Sequence, residues 1–221
     1  MPITSPSPIR HILEANQLRL TEGQWFLLEQ WVPLLLETNQ KLNLISRKDT
    51  DRIWENHILH SLALLVIKPF PKGSKVCDVG TGGGFPGIPL AIACPHSHFT
   101  LMDATGKKIK ALQRMITSLA LPNTQVVRGR AEEVGKQPLY QHRFSIVTAR
   151  AVASLQSLEQ WTRDLRAPHA VLHAYKGGDL RDEIQALSAI KSIKKVEPTL
   201  IALDQAPQFS HNQKQIVSLY F

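Results

Sequence analysis

Cysteine is nearly absent: only Cys77 and Cys94 occur among 221 residues. They fall in a predicted strand and a predicted helix and read as small buried apolar residues, not as a disulfide framework or a metal site. A reducing cytoplasm suits such thiol usage. Long apolar runs are missing too. None reaches the roughly 18–20 residues that cross a bilayer, and residues 1–8 have neither the basic start nor the apolar centre of a secretion signal. His57 and His60 share one predicted helix face, and His96 and His98 one side of a strand. Neither pair has a third ligand at metal spacing, so no metal is expected. Acids are outnumbered by bases, 18 against 26, which leaves a net charge of +8. That imbalance suits a polyanionic partner.

Glycine, by contrast, is concentrated in one turn. Val76-Cys77-Asp78-Val79 is strand-like and feeds Gly80-Thr81-Gly82-Gly83-Gly84-Phe85-Pro86-Gly87. Pro86 and Pro89 suit a first helical turn, so the loop opens a helix. Glycines let such a loop approach a ligand closely, and the free N–H groups of the helix start are expected to face it. Two patterns overlap here. Gly82-x-Gly84-x-x-Gly87 matches the dinucleotide fingerprint. The longer Asp78-x-Gly80-x-Gly82-x-Gly84 resembles motif I of class I S-adenosylmethionine-dependent methyltransferases, in which the loop backs the methionine part of the cofactor and the strand acid orders the site. Asp103 ends the next predicted strand, about twenty residues on, where a carboxylate takes ribose hydroxyls in folds of this kind.

The remaining pattern places these motifs. From about Pro8 to Ile67 the chain reads as helical. Thr21-Glu22-Gly23-Gln24 is a capping box, Pro33 is expected to kink or divide the helix that follows, and Asp49-Thr50-Asp51 to cap another through Ile53, Trp54, Ile58, Leu62 and Leu65. Pro69–Gly73 breaks the pattern, giving an N-terminal helical extension over 1–70 and an α/β domain over 71–221. Strands are predicted at Lys75–Val79, His98–Met102, Thr124–Arg128, Phe144–Ala149, Ala170–Tyr175, Lys194–Ala202 and Lys214–Phe221. The early ones alternate with helices, which implies a mostly parallel sheet. The last two lack an intervening helix and read as an antiparallel hairpin at one edge. Between Ala104 and Ala131 there are six Lys or Arg and no acid. There Ile109, Leu112, Ile116 and Leu119 form one helix face, and Lys107, Lys110 and Arg114 the opposite, phosphate-contacting one. Lys176, beside Gly177-Gly178, is a further candidate phosphate contact.

Several separated segments together resemble the RsmG (GidB) family of bacterial 16S rRNA guanine-N7 methyltransferases. They are Lys41-Leu42-Asn43-Leu44-Ile45-Ser46, Glu55-Asn56-His57 through Ser61-Leu62, Asp78 to Leu90, Asp103 with Gly106-Lys107-Lys108, Arg130-Ala131-Glu132-Glu133, Thr148-Ala149-Arg150-Ala151-Val152-Ala153, and Lys176-Gly177. The resemblance implies a class I methyltransferase fold, Rossmann-like, with a seven-stranded mostly parallel sheet. It also implies S-adenosyl-L-methionine as cofactor and 16S rRNA or the small ribosomal subunit as partner. By the same resemblance Gly80 and Phe85 belong to the cofactor loop with Asp78 and Gly82. Asp103 and Ala104 lie by the ribose and adenine, Ala131 and Glu132 border the adenine, and Arg150 closes the site near the methionine end. His60 stands where the family usually has Asp, and only Lys214 supplies the basic residue usual before the last strand.

The chemistry agrees with what is absent. Guanine N7 carries a lone pair and no proton, so it attacks a sulfonium methyl without a general base. The chain has no Cys after the fourth strand, which cytosine C5 methylation needs, and no Asn/Asp-Pro-Pro-Tyr run of exocyclic-amine methylation. Arg150 is the residue expected to hold a carboxylate or the guanine edge. The rival readings are a methyltransferase of another substrate and a non-catalytic RNA-binding protein that keeps the fold. A cytoplasmic monomer without membrane contact is expected.

Overall fold

A computed structural model describes residues 4–221; Met1, Pro2 and Ile3 of the N-terminal stretch lie outside them. Three helices lead: α1 (Pro6–Ala15), α2 (Glu22–Asn39) and α3 (His60–Ile67). Then come β1 (Lys75–Val79), α4 (Gly87–Ala93), β2 (His98–Asp103), α5 (Gly106–Ser118), β3 (Thr124–Arg128), α6 (Ala131–Val134) and β4 (Phe144–Arg150). The chain ends with α7 (Leu155–Thr162), β5 (Arg166–Gly177), α8 (Arg181–Gln185), β6 (Lys195–Leu200), α9 (Gln208–His211) and β7 (Lys214–Tyr220). Within the described residues one sheet runs in the order β3-β2-β1-β4-β5-β7-β6. The first five strands are parallel, and β7 runs antiparallel to both β5 and β6. The order reverses between β1 and β4, and ligands of open α/β sheets bind at the strand carboxyl ends beside such a reversal. Gly80, Asp103 and Arg150 all lie at those ends.

Apolar residues on the two faces of each strand build two cores, as a sheet covered on both sides requires. On one face Val76, Phe99, Leu101 and Ile146 pack with α4, α5 and the N-terminal helices in a continuous cluster that includes Trp31, Leu35, Ile58 and Leu62. On the other, Cys77, Met102, Val147 and Leu172 pack with α6 and α7. The capping box forms as read. Thr21 and Gln24 exchange both bonds, and the Gln24 amide also reaches the Ile92 and Ala93 carbonyls, tying α2 to the end of α4.

Three local expectations are corrected. Pro33 does not divide α2. It is exposed while Trp31, Val32 and Leu35 are buried, so the carbonyl it leaves without a partner is on the solvent side and packing holds the helix. Asp49 is not a helix cap. Ser46 caps a 3-10 turn at Arg47–Arg52, a π-helical turn follows at Trp54–Leu59, and only then does α3 begin. The link between β6 and β7 does contain a helix, α9, too short to show a period and anchored by buried Phe209.

His173 on β5 bonds Ser218 on β7 at 2.9 Å and stacks on Phe70. Burial pulls it down to about 4, His57 to about 3, and His60 well below its ordinary value. All are neutral in the fold and titrate near 6.5 once unfolded. Acid therefore loads the unfolded chain first, and stability falls as pH drops from about 6.5 towards 4, by about 1.4 kcal/mol per pH unit per histidine. Asp78, raised to about 6, works in the opposite direction below pH 6. Calorimetry between pH 7.5 and 4.5 should show the melting temperature falling with pH, and His173→Asn should make the fall shallower by one group.

Candidate active site

The site is organised around a carboxylate that never meets solvent. Asp78 is 0% exposed. Its Oδ2 accepts from the Gly87 backbone N–H at 3.0 Å and its Oδ1 from the Thr148 hydroxyl at 2.9 Å. A Cβ on Gly87 would lie 2.8 Å from that Oδ2 and 2.2 Å from Leu101 Cδ2, so only glycine fits. Burial pushes the Asp78 carboxyl up to about 6, while Thr81, Thr148 and Gly87 pull it the other way. It is mostly ionised at neutral pH, which suits a helix N-terminus. One expectation changes here. The first N–H of α4 faces Asp78, not a ligand. Asp78 lies beneath the loop, fully buried.

Above this knot, at the strand carboxyl ends, is a cleft of about 180 Å³. It gathers Gly80, Asp103, Ala104, Ala131 and Glu132, every one picked out in the sequence. Val79, Met102, Val152 and Trp161 add apolar wall, and Gly129 and Arg130 complete it. Gly80 has φ +67°, and a Cβ there would approach Val152 Cγ2 to 2.7 Å. Gly82, at φ +56°, donates its N–H to Asp103 Oδ2 at 3.1 Å. The other oxygen, Asp103 Oδ1, accepts from Thr105 N–H at 2.7 Å. A carboxylate has roughly four acceptor positions, and among the described residues these two N–H groups fill two of them. Trp161 escaped sequence reading, because a tryptophan on an amphipathic helix looks the same whether it faces core or cleft.

Arg150 and Phe85 stand beside this cleft, not in its walls. Arg150 donates to the Asn56 carbonyl at 3.2 Å and to His57 Nδ1, and its guanidinium lies 5.0 Å over the Phe85 ring. Phe85 is buried between Trp31 and His57, at ring distances of 4.8 and 4.7 Å. Burial pulls the arginine below its ordinary value, against Tyr175, Asp78 and Asp49. Lys214, also lowered by burial and by Arg150, completes a cationic corner. Sequence reading could not find the Asn56 and His57 contacts, which join residues more than ninety positions apart.

The basic residues part company. Lys107, Lys110 and Arg114 are exposed and line a second cleft of about 460 Å³ between α2 and α5, joined there by Lys41. Lys176 does not belong with them. Its Nζ bonds the Ala153 carbonyl at 2.9 Å and both Glu183 oxygens at 3.1 and 2.7 Å, with 15% of the side chain exposed. Glu183 also accepts from Leu155 N–H at 2.9 Å. Lys176 is thus a strut for the loop after β4, with its ammonium already bonded to Ala153 and Glu183.

Replacing Gly80 by Val strains the backbone at positive φ and drives a side chain into Val152. Calorimetry should show S-adenosylmethionine binding to the parent chain and none to Gly80→Val, with NAD binding to neither. NAD binding, or an unchanged affinity in the variant, would contradict this assignment of the cleft.

Comparison with known proteins agrees with this geometry. The family model for GidB, rRNA small subunit methyltransferase G, matches residues 24–216. Proteins named ribosomal RNA small subunit methyltransferase G from Chlorobium limicola and Chlorobium luteolum are 44% and 41% identical. The first similarity covers 77% of this chain and 75% of that protein, the second 98% and 93%. An O-methyltransferase from Bacillus cereus, solved in complex with SAH, superposes with TM-score 0.56 at 16% identity, covering 87% of this chain and 91% of its own. A precorrin-6y C5,15-methyltransferase from Geobacter metallireducens does so with TM-score 0.53 at 12% identity, covering 81% and 92%. These two structures bear on the fold alone. With a class I methyltransferase fold, an intact glycine loop and a family match over most of its length, the chain belongs to the rRNA small subunit methyltransferase G (GidB) family.

Proposed function

We propose that this chain transfers a methyl group from S-adenosylmethionine to N7 of a guanine in 16S rRNA, acting in the cytoplasm as a monomer on the rRNA or the small subunit. The observation that carries the reading is the cleft, which keeps its glycine loop, ribose acid and apolar wall inside the span matched by the family. The residues fit the cofactor. Gly80 leaves the room a Cβ would fill, Asp103 lines the cleft while accepting from Gly82 and Thr105, and Val152, Met102 and Trp161 offer an apolar face to a purine. When bound, the cofactor supplies an electrophilic methyl on a sulfonium sulfur.

The chain's own work is positioning. Proximity and alignment supply roughly 7–11 kcal/mol of a barrier of this kind. Arg150, fixed at the end of β4, is the donor aimed at the guanine edge, where an arginine pairs with O6 in the plane of the base. Around it, among the described residues, the group held nearest neutrality is Asp78, at about 6, and it is fully buried with its two oxygens engaged by Gly87 and Thr148. His57 lies near 3 with its Nδ1 already engaged, His60 far below its usual value, and Tyr175 well above. Guanine N7 needs no base, so this arrangement suits it. Lys107, Lys110 and Arg114, with Lys41 across the cleft, are placed to follow the RNA backbone. No helix of the described residues is long and apolar enough to cross a membrane.

Single-turnover methylation should be flat in rate between pH 6 and 9, and a substrate with 7-deazaguanine at the target should bind without reacting. Arg150→Ala should lose roughly ten- to a hundredfold in rate, the scale of a hydrogen bond to a charged group. Methylation of the deaza substrate would place the reaction on another atom. Separately, neutralising Lys107, Lys110 and Arg114 together should lower the slope of log affinity for RNA against log salt by about 2 to 3, leaving cofactor affinity unchanged. An unaltered slope would return this face to plain solvent exposure.

A further inference from the structure

The contact between His57 and Arg150 constrains more than geometry. A guanidinium has donors only, so the imidazole nitrogen it meets must carry a lone pair. Nδ1 is therefore unprotonated and the single ring proton is on Nε2. That Nε2 is buried, has no hydrogen-bond partner among the described residues, and points to Asp49 Oδ2 at 3.7 Å, beyond hydrogen-bond length. Asp49 is in turn held by the Asn56 side chain at 2.7 Å through its other oxygen. The Asn56 carbonyl takes the second bond from Arg150. Asp49, Asn56, His57 and Arg150 so form a closed ring of contacts, with Phe85 beneath both the imidazole and the guanidinium. The backbone that supplies it is the π-helical turn Trp54–Leu59, a distortion that recurs at functional sites.

We propose that His57 is the positioning residue for Arg150. Its neutral ring, with Nε2–H turned towards Asp49, presents Nδ1 to the guanidinium and sets which edge of the arginine fork faces the incoming base. The N-terminal extension, through the turn that carries Asn56 and His57, thereby completes a site whose arginine comes from the sheet. The groups facing His57 are Arg150 from β4, Asp49 from the preceding turn, Lys214 from β7 and His60 from α3. The two cations favour the neutral ring and Asp49 opposes them, so the relay does not depend on ring protonation in the physiological range. This role rests on the assignment of Arg150 to the base side of the site.

The test uses the full chain and two readouts. His57→Asn keeps an acceptor near the Nδ1 position, whereas His57→Phe keeps the stack on Phe85 without one. Single-turnover rates should fall roughly ten- to a hundredfold in His57→Phe and only a few-fold in His57→Asn, with cofactor affinity within twofold. Added to Arg150→Ala, neither substitution should lower the rate further. Equal losses in the two variants, or losses that multiply with Arg150→Ala, would overturn the proposal. Nitrogen NMR of the free protein tests the tautomer without any substrate, and Nδ1 should be unprotonated between pH 5 and 8. A protonated Nδ1 with Arg150→Ala still impaired would overturn the His57 role alone. An unprotonated Nδ1 with Arg150→Ala fully active would overturn the base-side assignment of Arg150, and this role with it.

Discussion

The site depends on one buried carboxylate. Asp78 joins strand β1, the start of helix α4 and strand β4 by accepting from Gly87 and Thr148 at once. Charge-assisted bonds to an ionised oxygen are about twice as strong as neutral ones, and here they close the ends of the glycine loop. With both ends pinned, the loop between them takes the left-handed conformations of Gly80, Gly82 and Gly84. That path brings Gly82 N–H to Asp103, so the acid at the end of β2 is oriented by the same loop. The cleft beside Gly80 and the orientation of Asp103 are thus two consequences of one tether. Gly87 illustrates the constraint in reverse, since its missing Cβ leaves the space in which the carboxylate sits.

The second organising element is the N-terminal helical region, which does more than cover apolar surface. Trp31 from α2 and His57 from the π-helical turn flank Phe85 at the loop's end, and Arg150 lies over the same ring. Leu44 packs against Gly83 and is itself held by Asn39 at the end of α2. The helices therefore reach the glycine loop from one side and the arginine from the other. They also supply Lys41 to the basic cleft against α5. A substrate following that cleft would be guided by both parts of the chain at once.

Much of this was legible in the sequence, and the rest was not for identifiable reasons. The strands could be read because alternation of apolar strand and amphipathic helix survives burial. The cleft residues Gly80, Asp103, Ala104, Ala131 and Glu132 could be found because motif spacing and family resemblance mark local chain; the first three sit where β1 and β2 end, and the last two open the short helix that follows β3. What failed was long-range or directional. Lys176 looks like a free lysine on a glycine turn until Glu183 and the Ala153 carbonyl are seen to claim it. Asp49 looks like a cap, yet it turns to Asn56 instead. Pro33 looks like a break until its exposure is known. The expectation that the helix start faces a ligand missed that Asp78, inside the preceding strand, already fills that role. Side-chain direction decides each of these, and it is set by packing that a linear pattern does not carry.

The central claim is that this loop and arginine serve methyl transfer to guanine N7 in small-subunit rRNA. Its most direct test is mass mapping of modified nucleosides in ribosomal RNA from cells with the gene, without it, and complemented by the parent chain. The account predicts one 7-methylguanosine in 16S rRNA that disappears with the gene and returns with the parent chain. A 16S rRNA whose 7-methylguanosine content is unchanged by loss of the gene, or a loss confined to another RNA or another atom of guanine, would contradict it.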